Sequence, residues 1–327
     1  MTSPSVFPRS LRAGSAALAM LAVCWTGLVP AAAAAAAAEV TNAAATKVIE
    51  HAKGRAEVPL HPQRVVVFDL ATLDTLSALG VDAIKGVPAF KMPEHLKQYE
   101  SADFTKVGSL FEPDYEAIRA LRPDVIFIGR RSEARYADLE KLAPTVDMAI
   151  DEDHPVQSIF ANVRMLGELF GKQQRAEELV AETEASIAEL KKVTPDAGKA
   201  LLLLVSGGRI NSYGPGSRMG MVFDVFGVQP AQAAGSHERH GQSVSFEYIL
   251  QANPDWLLVL DRDSAIGREG EAARQLLDNA LVNATNAAKK RQIVYLNAMN
   301  WYVLDGAGIT ALQQNVQQLY QVFSRKP

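Results

Sequence analysis

The sequence contains a single cysteine. It has 327 residues, and that cysteine, Cys24, lies within the first 38. The rest of the chain can form no disulfide bond, so its stability has to come from burial of apolar side chains. A composition that is 48% hydrophobic and 21% charged supplies enough apolar material for two globular domains.

The sequence also lacks an excess of positive charge. Its 33 lysines and arginines are outnumbered by 37 aspartates and glutamates, which leaves a net charge of −4. Proteins that bind nucleic acid usually carry a strongly basic surface, so we expect no nucleic-acid partner.

The signature motifs of several enzyme classes are missing as well. There is no G-x-x-x-x-G-K-[ST] phosphate-binding loop, no H-E-x-x-H zinc motif and no G-x-S-x-G nucleophile elbow. Residues 214–220 resemble a dinucleotide-binding loop, but Met219 stands where the third glycine belongs. Four further histidines show no metal-ligand spacing to one another: His61, His95, His154 and His237. We therefore expect a binding protein and not an enzyme.

Residues 1–38 have the pattern of a signal peptide. Arg9 and Arg12 precede an apolar stretch at 13–30, and the alanine tract at 31–38 suits signal peptidase. Removal of these two arginines changes the net charge from −4 to −6. The sequence therefore predicts export to the periplasm.

An alternative is that Cys24 is lipidated and anchors the protein to the membrane. Cleavage would then follow Val23, at a position where glycine, alanine or serine is normally required. The sequence favours free export over this anchored form.

Two segments about 130 residues apart share one pattern, at 116–130 and 247–262. Each starts with a glutamate at a predicted short helix, continues through Pro-Asp into an apolar strand, and ends with an arginine. The separation is too long for a solenoid repeat. The pattern predicts two similar lobes, each with an acidic helix outside and a cationic strand end inside.

Strand and helix patterns alternate through most of the chain. The continuous apolar runs at 65–68 and 201–205 are typical of strands buried on both faces. Such alternation predicts an α/β fold of two similar lobes with mainly parallel sheets. We place the N-terminal lobe at 46–154 and the C-terminal lobe at 199–327.

Between the lobes, residues 155–194 carry apolar side chains at helical spacing with no intervening strand. We predict one long inter-lobe helix, with a bend permitted at Gly171. The segment lacks the sustained heptad of a coiled coil. A rigid helix between lobes predicts ligand capture by small tilts and not by wide closure.

Three arginines are candidates for ligand binding: Arg130, Arg218 and Arg262. Two of them follow predicted strands and Arg218 precedes a predicted helix, and open α/β sheets bind ligands beyond the carboxyl ends of their strands. A guanidinium group is a planar, permanently charged set of donors that suits carboxylate, phosphate or catecholate oxygens. The alternative is a local ion pair for each arginine, for example between Arg262 and Asp261 or Asp263.

Two further residues could bind iron. His240 lies in a polar loop, and Tyr302 follows Trp301 after a predicted strand. Imidazole nitrogen and phenolate oxygen form a partial donor set for Fe(III). On these residues alone, a solvated loop histidine and a tyrosine packed beside Trp301 are favoured over iron ligation.

Glu116 and Glu247 begin the two equivalent helices. A carboxylate in this position interacts favourably with the helix dipole, which explains either residue alone. Their matched placement on two lobes indicates a second role, docking onto basic pockets of a partner.

Taken together, the chain from about Val48 onwards resembles the periplasmic substrate-binding proteins of iron–siderophore ABC importers. The likeness is greatest to the catecholate type, which binds ferric enterobactin, its fragments and petrobactin. The residues that carry it are Gly129-Arg130, 213–218, 240–243, 253–262, 277–281 and Trp301-Tyr302. Asn300 departs from the family pattern, in which another aromatic or acidic residue is more common, and this leaves the ligand preference open.

The resemblance implies a role for each candidate residue. Arg130, Arg218 and Arg262 would face the catecholate oxygens in a shallow cleft between the lobes. His240 and Tyr302 would complete the iron shell when a tetradentate siderophore leaves two coordination sites open. Glu116 and Glu247 would engage arginines of the inner-membrane ABC permease.

We therefore expect a monomeric binding protein, without a cofactor, that delivers a ferric catecholate siderophore to an ABC importer. One alternative keeps the fold but changes the ligand to haem, a cobalamin or a hydroxamate siderophore. A more distant alternative is an exported siderophore esterase that uses Ser243 or Ser245 near His240.

Overall fold

The computed structural model describes residues 45–232, 241–267 and 272–324. The predicted signal peptide with Cys24 lies outside these ranges, and so does His240. No helix within the described ranges is long and apolar enough to cross a membrane.

The first half of the described chain forms a β-hairpin and a parallel sheet. The hairpin consists of β1 (Thr46–His51) and β2 (Gly54–Pro59). The sheet strands are β3 (Val65–Val67), β4 (Ile84–Val87), β5 (Thr105–Lys106), β6 (Val125–Ile128) and β7 (Thr145–Asp147). Their order is β5-β4-β3-β6-β7, and every pair is parallel. The accompanying helices are α1 (Leu70–Ala78), α2 (Tyr115–Leu121) and α3 (Tyr136–Leu139), with 3-10 helices at Glu94–Glu100 and Glu133–Arg135.

The second half, beyond two connecting helices, is built around a six-stranded sheet. Its strands are β8 (Lys199–Ser206), β9 (Arg209–Tyr213), β10 (Gln229–Pro230), β11 (Gln242–Ser243), β12 (Trp256–Asp261) and β13 (Ile293–Tyr295). The order is β11-β9-β8-β12-β13, with β10 beside β8. The helices are α6 (Met221–Asp224), α7 (Phe246–Ala252), α8 (Arg262–Ala265), α9 (Ala272–Leu277), α10 (Ala280–Asn283), α11 (Asn286–Lys289) and α12 (Ile309–Phe323), with a π-helical turn at Met299–Val303.

The predicted α/β fold with two similar lobes is confirmed, although the second sheet is mixed. β9 and β11 run antiparallel to their neighbours. β8 turns directly into β9 through Gly207 and Gly208, whose φ angles are +55° and +77°. Positive φ at both central residues is what a type I′ hairpin turn requires. The two glycines therefore allow a tight antiparallel hairpin, whereas a parallel pair of strands would need a helical crossover between them.

The two repeated segments fold alike. α2 and α7 both have seven residues, and each begins at a capping side chain, Asp114 or Ser245. Each ends at a residue in the left-handed region, Arg122 or Asn253. These terminations turn the chain into β6 and β12, which occupy equivalent positions in the two sheets, each between the central strand and an edge strand.

The aspartate of each Pro-Asp pair joins its segment to the neighbouring strand. Asp124 Oδ2 accepts hydrogen bonds from the backbone N–H groups of Gln63 and Arg64, just before β3. Asp255 Oδ2 accepts from the N–H of Lys199 at the start of β8, over 3.1 Å. The repeat therefore fixes the relative position of two neighbouring strands in each sheet.

The predicted helical segment at 155–194 is divided. It consists of α4 (Pro155–Leu169) and the long connecting helix α5 (Gln173–Val193). Gly171 between them has a φ of +67°, and a Cβ there would lie 2.6 Å from the His61 ring. Glycine is therefore required at the corner, and the chain turns there instead of continuing as one helix.

One apolar core extends through both halves of the molecule. It includes Val65 and Phe127 of the first sheet, Leu202 and Leu258 of the second, and the buried faces of α4, α5 and α12. Two smaller clusters lie on the other faces of the sheets. Because separating the lobes would expose this shared core, the structure favours small tilts over wide hinge opening.

α12 closes the fold by packing on both α1 and α5. Asp74 in α1 is fully buried, and its Oδ2 accepts a hydrogen bond of 2.8 Å from the N–H of Ala311. Thr75 Oγ1 accepts from the N–H of Ile309 over 3.3 Å. A carboxylate at a helix N-terminus satisfies unpaired N–H groups and interacts favourably with the helix dipole.

This contact predicts a stability loss on substitution of Asp74. Asp74→Ala leaves a buried N–H of α12 without its acceptor, so we expect the free energy of unfolding to fall by about 2 kcal/mol. Urea denaturation followed by circular dichroism measures it. Asp138→Ala, at an exposed ion pair with Lys141, is the control and should change it by less than about 0.5 kcal/mol. Equal losses in the two variants would contradict this role of Asp74.

Candidate functional site

The three candidate arginines come from both lobes and lie in one cluster. Arg130 follows β6 by one glycine, Arg262 directly follows β12, and Arg218 lies in the loop before α6. β6 and β12 are equivalent strands of their sheets, so their carboxyl ends bring Arg130 and Arg262 to the same edge of the molecule. The ligand-binding role of these arginines remains a prediction.

Arg130 and Arg218 meet at Asp305. Arg130 Nη2 donates to Asp305 Oδ2 over 2.6 Å, and Arg218 Nη2 lies 3.0 Å from Asp305 Oδ1. Arg130 Nη1 is also 3.7 Å from Glu152 Oε1. One carboxylate therefore joins arginines of the two lobes.

Arg262 is held by Tyr302. Its Nε donates to the Tyr302 hydroxyl oxygen over 2.7 Å, and its Nη1 donates to Ser206 Oγ over 3.2 Å. The ion contact with neighbouring Asp263 is longer, at 3.9 Å. The guanidinium carbons of Arg218 and Arg262 lie 4.9 and 5.4 Å from the centre of the Tyr302 ring, within the range of cation–π attraction.

Arg131 is a fourth member of the cluster that the sequence analysis missed. It donates to the carbonyl oxygens of Tyr302 and Val303 over 2.7 and 2.8 Å, and its Nη1 lies 3.5 Å from Asp305 Oδ2. The adjacent pair Arg130-Arg131 is the only sequence signal for it. Arg131 holds the backbone of the segment that carries Tyr302 and Asp305.

The pKa values of two side chains in and near the cluster are shifted. Burial lowers the pKa of the Arg218 guanidinium, Asp305 opposes this shift, and the cations Arg130 and Arg131 add to it. Burial also raises the pKa of nearby Tyr213, against the influence of Arg218. Close cations in a partly buried site repel one another, so anionic oxygens placed among them are stabilised.

A cavity of about 450 Å³ opens beside this cluster, between the lobes. It is lined by Gly129 and Arg130 at the end of β6, and by Arg218 and Asp305 from the second half of the chain. Tyr302 and Arg262 are not among its lining residues, although the Tyr302 ring lies 4.9 Å from the guanidinium carbon of Arg218. A cavity therefore lies at the carboxyl ends of the strands, where the ligand is expected, and Arg130 and Arg218 are on its surface.

The iron-ligand prediction is only partly covered by the structure. Tyr302 lies in the cluster, whereas His240 is outside the described residues. The described ranges contain no group of three or more histidine, cysteine, aspartate or glutamate side chains arranged to hold a metal ion. Ligation of iron by Tyr302 and His240 remains a prediction.

Asn300, which departs from the family pattern, points away from the site. It is fully buried, and its Nδ2 donates to Gln314 Oε1 of α12 over 2.8 Å. Its contacts are those of a residue that secures the π-helical turn to α12.

Glu116 and Glu247 occupy equivalent exposed places. Each lies in the first turn of its helix, α2 or α7. A hydrogen bond with Ser245 lowers the pKa of Glu247, and its own backbone N–H adds to this. The two carboxylates are therefore available at the surface, and their docking role remains a prediction. Ser245, named for the esterase alternative, caps α7 by accepting from the N–H of Tyr248.

Two α/β lobes that share a rigid core and enclose a charged cleft define a binding protein with a fixed inter-lobe site. Residues 65–299 match the family described as periplasmic binding protein, Peripla_BP_2, and the chain belongs to that family.

Several relatives support the same class. The petrobactin-binding protein YclQ of Bacillus subtilis is 37% identical, over 82% of this chain and 84% of its own length. The ferric-anguibactin-binding protein FatB of Vibrio anguillarum is 36% identical, over 81% and 84%. The crystal structure of YclQ superimposes with a TM-score of 0.83 at 34% identity, covering 86% of this chain and all (100%) of that chain.

A third solved structure is similar over the same region. The periplasmic catecholate-siderophore binding protein VctP of Vibrio cholerae has a TM-score of 0.78 at 34% identity, covering 85% of this chain and 100% of that chain. These comparisons confirm the predicted family and fold class.

Proposed function

We propose that this protein captures a ferric catecholate siderophore in the inter-lobe cleft and delivers it to an ABC importer. The observation that carries this proposal is a continuous arginine cluster beside the cleft. Arg130 and Arg218, from the two lobes, meet at Asp305, and Arg218 and Arg262 meet at Tyr302. The ligands named for the relatives YclQ, FatB and VctP support the same class of cargo.

Charge matching explains how the site selects such a cargo. An iron(III) tris-catecholate carries three negative charges, and three guanidinium groups neutralise them without taking up protons. A complementary field also speeds encounter with an anionic ligand. A neutral ferric hydroxamate offers no negative charge to the arginines, so the same cluster favours the anionic complex over it.

Tyr302 is suited to complete the coordination of iron when the siderophore is tetradentate. The Arg262 Nε atom donates a hydrogen bond of 2.7 Å to the hydroxyl oxygen and so fixes the position of that oxygen. Phenolate oxygen is a hard anionic ligand that suits Fe(III). His240 is the proposed second protein ligand.

The proposed partner of Glu116 and Glu247 is the ABC permease. Glu116 and Glu247 lie exposed on the equivalent helices α2 and α7, one on each lobe. A rigid molecule presents these two carboxylates at a constant separation, which favours a paired ion contact with basic pockets of the permease. We propose that the mature protein works as a freely exported monomer, without lipid at Cys24.

Loss of two cleft arginines should weaken binding strongly. In the double variant Arg130→Ala, Arg218→Ala, we expect the Kd for a ferric tris-catecholate to rise about 100-fold or more, because charge-assisted hydrogen bonds to the ligand are lost. Quenching of tryptophan fluorescence measures the Kd. Arg164→Ala, at a surface ion pair with Glu177, should leave it unchanged. An unaltered Kd in the double variant would refute the proposed site.

Direct ligation by Tyr302 has a spectroscopic consequence. Tyr302→Phe should alter the charge-transfer band of a bound ferric bis-catecholate, because that complex leaves iron sites for the protein. A hexadentate tris-catecholate leaves none, so its spectrum should be the same in both proteins. An unchanged bis-catecholate spectrum would show that Tyr302 does not bind iron.

Docking can be separated from capture. Glu116→Ala and Glu247→Ala should each leave siderophore affinity unchanged, since both carboxylates lie outside the cleft. Together they should reduce stimulation of permease ATPase activity in proteoliposomes on the order of tenfold, as expected when interfacial charge pairs are lost. Glu177→Ala serves as the control on another surface. Full stimulation by the double variant would exclude the docking role.

A further inference from the structure

Asp305 lies among three arginines of the cationic cluster. Its Oδ2 lies 2.6 Å from Arg130 Nη2 and 3.5 Å from Arg131 Nη1, and its Oδ1 lies 3.0 Å from Arg218 Nη2. Asp305 is 175 positions from Arg130 and 174 positions from Arg131 in the chain. A single carboxylate therefore contacts guanidinium N–H groups that come from both lobes.

The backbone presents this carboxylate in a restricted conformation. Asp305 has a φ of +52° and is followed by Gly306 at +65°. The N–H of Gly306 donates to the carbonyl oxygen of Asn300 over 2.8 Å, and Arg131 binds the carbonyls of Tyr302 and Val303. The left-handed region is unfavourable for a residue with a side chain, so the surrounding contacts impose this position on Asp305.

Arg218 and Asp305 form a close ion pair, but not all of their hydrogen-bonding atoms have partners. The side chain of Arg218 is only 13% exposed. Among the described residues, neither Arg218 Nε nor Asp305 Oδ1 has a hydrogen-bond partner of good geometry, although both are buried. A buried donor without an acceptor is costly, so a ligand that satisfied Arg218 fully would be favoured over Asp305.

Carboxylate and catecholate use the same donors. Each presents a planar pair of anionic oxygens to the guanidinium N–H groups. An N–H that is directed at Asp305 cannot be directed at a ligand oxygen at the same time. An anion that binds Arg130 and Arg218 therefore has to release them from Asp305.

We propose that Asp305 is an intramolecular competitor that holds the cleft arginines until a multiply charged ligand displaces it, and so sets how strongly an anion must bind to occupy the cleft. This inference rests on the proposed function. Displacement costs the same for every anion, so it raises the Kd of all of them by one factor. Simple carboxylates are then excluded at ordinary concentrations, while a ferric catecholate with several anionic oxygens still binds.

An opposing interpretation gives Asp305 the role of a positioning residue that keeps the arginines in place for the ligand. The two interpretations differ in sign. Loss of a competitor tightens binding, whereas loss of a positioning group weakens it.

The experiment uses two variants of the mature protein. Asp305→Asn removes the charge and keeps the shape. Asp305→Gly removes the side chain at a φ that glycine adopts without strain. Asp138→Asn, at the surface pair with Lys141, makes the same change in net charge away from the cleft. Circular dichroism and thermal unfolding establish that all of them fold.

The first measurement is the Kd for the iron(III) tris-complex of an N-alkyl catecholamide, by fluorescence quenching. We expect Asp305→Asn and Asp305→Gly to lower the Kd on the order of tenfold, and Asp138→Asn to leave it unchanged. Unchanged or weaker binding in both Asp305 variants would overturn the inference, while binding by the wild type would still support the proposed function. Failure of the wild type to bind the complex would reject the proposed function and this inference with it.

The second measurement asks whether a free carboxylate can take the place of the missing one. Acetate, compared with chloride at equal ionic strength, should compete with the ferric complex in Asp305→Gly and return its apparent Kd towards that of the wild type. In the wild type acetate should have no effect beyond that of chloride. Absence of competition in Asp305→Gly would show that the arginines do not hold a carboxylate, and would overturn the inference. A purely positioning role predicts no such competition.

Discussion

The contact between the buried carboxylate of Asp74 and the N-terminus of α12 holds the two lobes in one arrangement. It connects α1 in the first half of the chain to a helix near the end, and the shared apolar core surrounds it. Removing a carboxylate from water is costly, and here the helix N–H groups and dipole offset that cost. This contact and the shared core together oppose separation of the lobes, so the charged residues of the cleft are held near one another.

A fixed cleft makes the arginine cluster possible. Arg130, Arg131, Arg218 and Arg262 would repel one another if they were free to move, and each would turn towards water. Instead Asp305, the carbonyl oxygens of Tyr302 and Val303, and the Tyr302 ring hold them together. The apolar core supplies the free energy that keeps like charges close, and the protein gains a site that is organised before the ligand arrives.

The two repeated segments each carry one charged residue on the surface and one beside the cleft. In both copies the helix places a glutamate outside, and the strand end carries an arginine inside. The residues that distinguish the lobes lie outside this pattern. Arg218, Tyr302 and Asp305 all belong to the second half of the chain, whereas the first half contributes Arg130 and Arg131. In the proposed function, discrimination among cargoes would therefore be concentrated in the second half, and the first half would add positive charge.

Much of the fold and part of the site follow from the sequence alone, because they depend on local patterns. Apolar runs, capping residues and the Pro-Asp repeat specified the strands, the two short helices and the arginines at the strand ends. Gly171, at which a bend was predicted, is the sequence signal for the corner between α4 and α5, and Gly207-Gly208 is the signal for the antiparallel β9. Asp305 could not be found in this way. Its partners Arg130 and Arg218 are 175 and 87 positions away, and only the packing of α12 and the lobes decides which charges meet. Local periodicity determines which elements form, whereas the ion contacts between distant elements are determined by the tertiary structure.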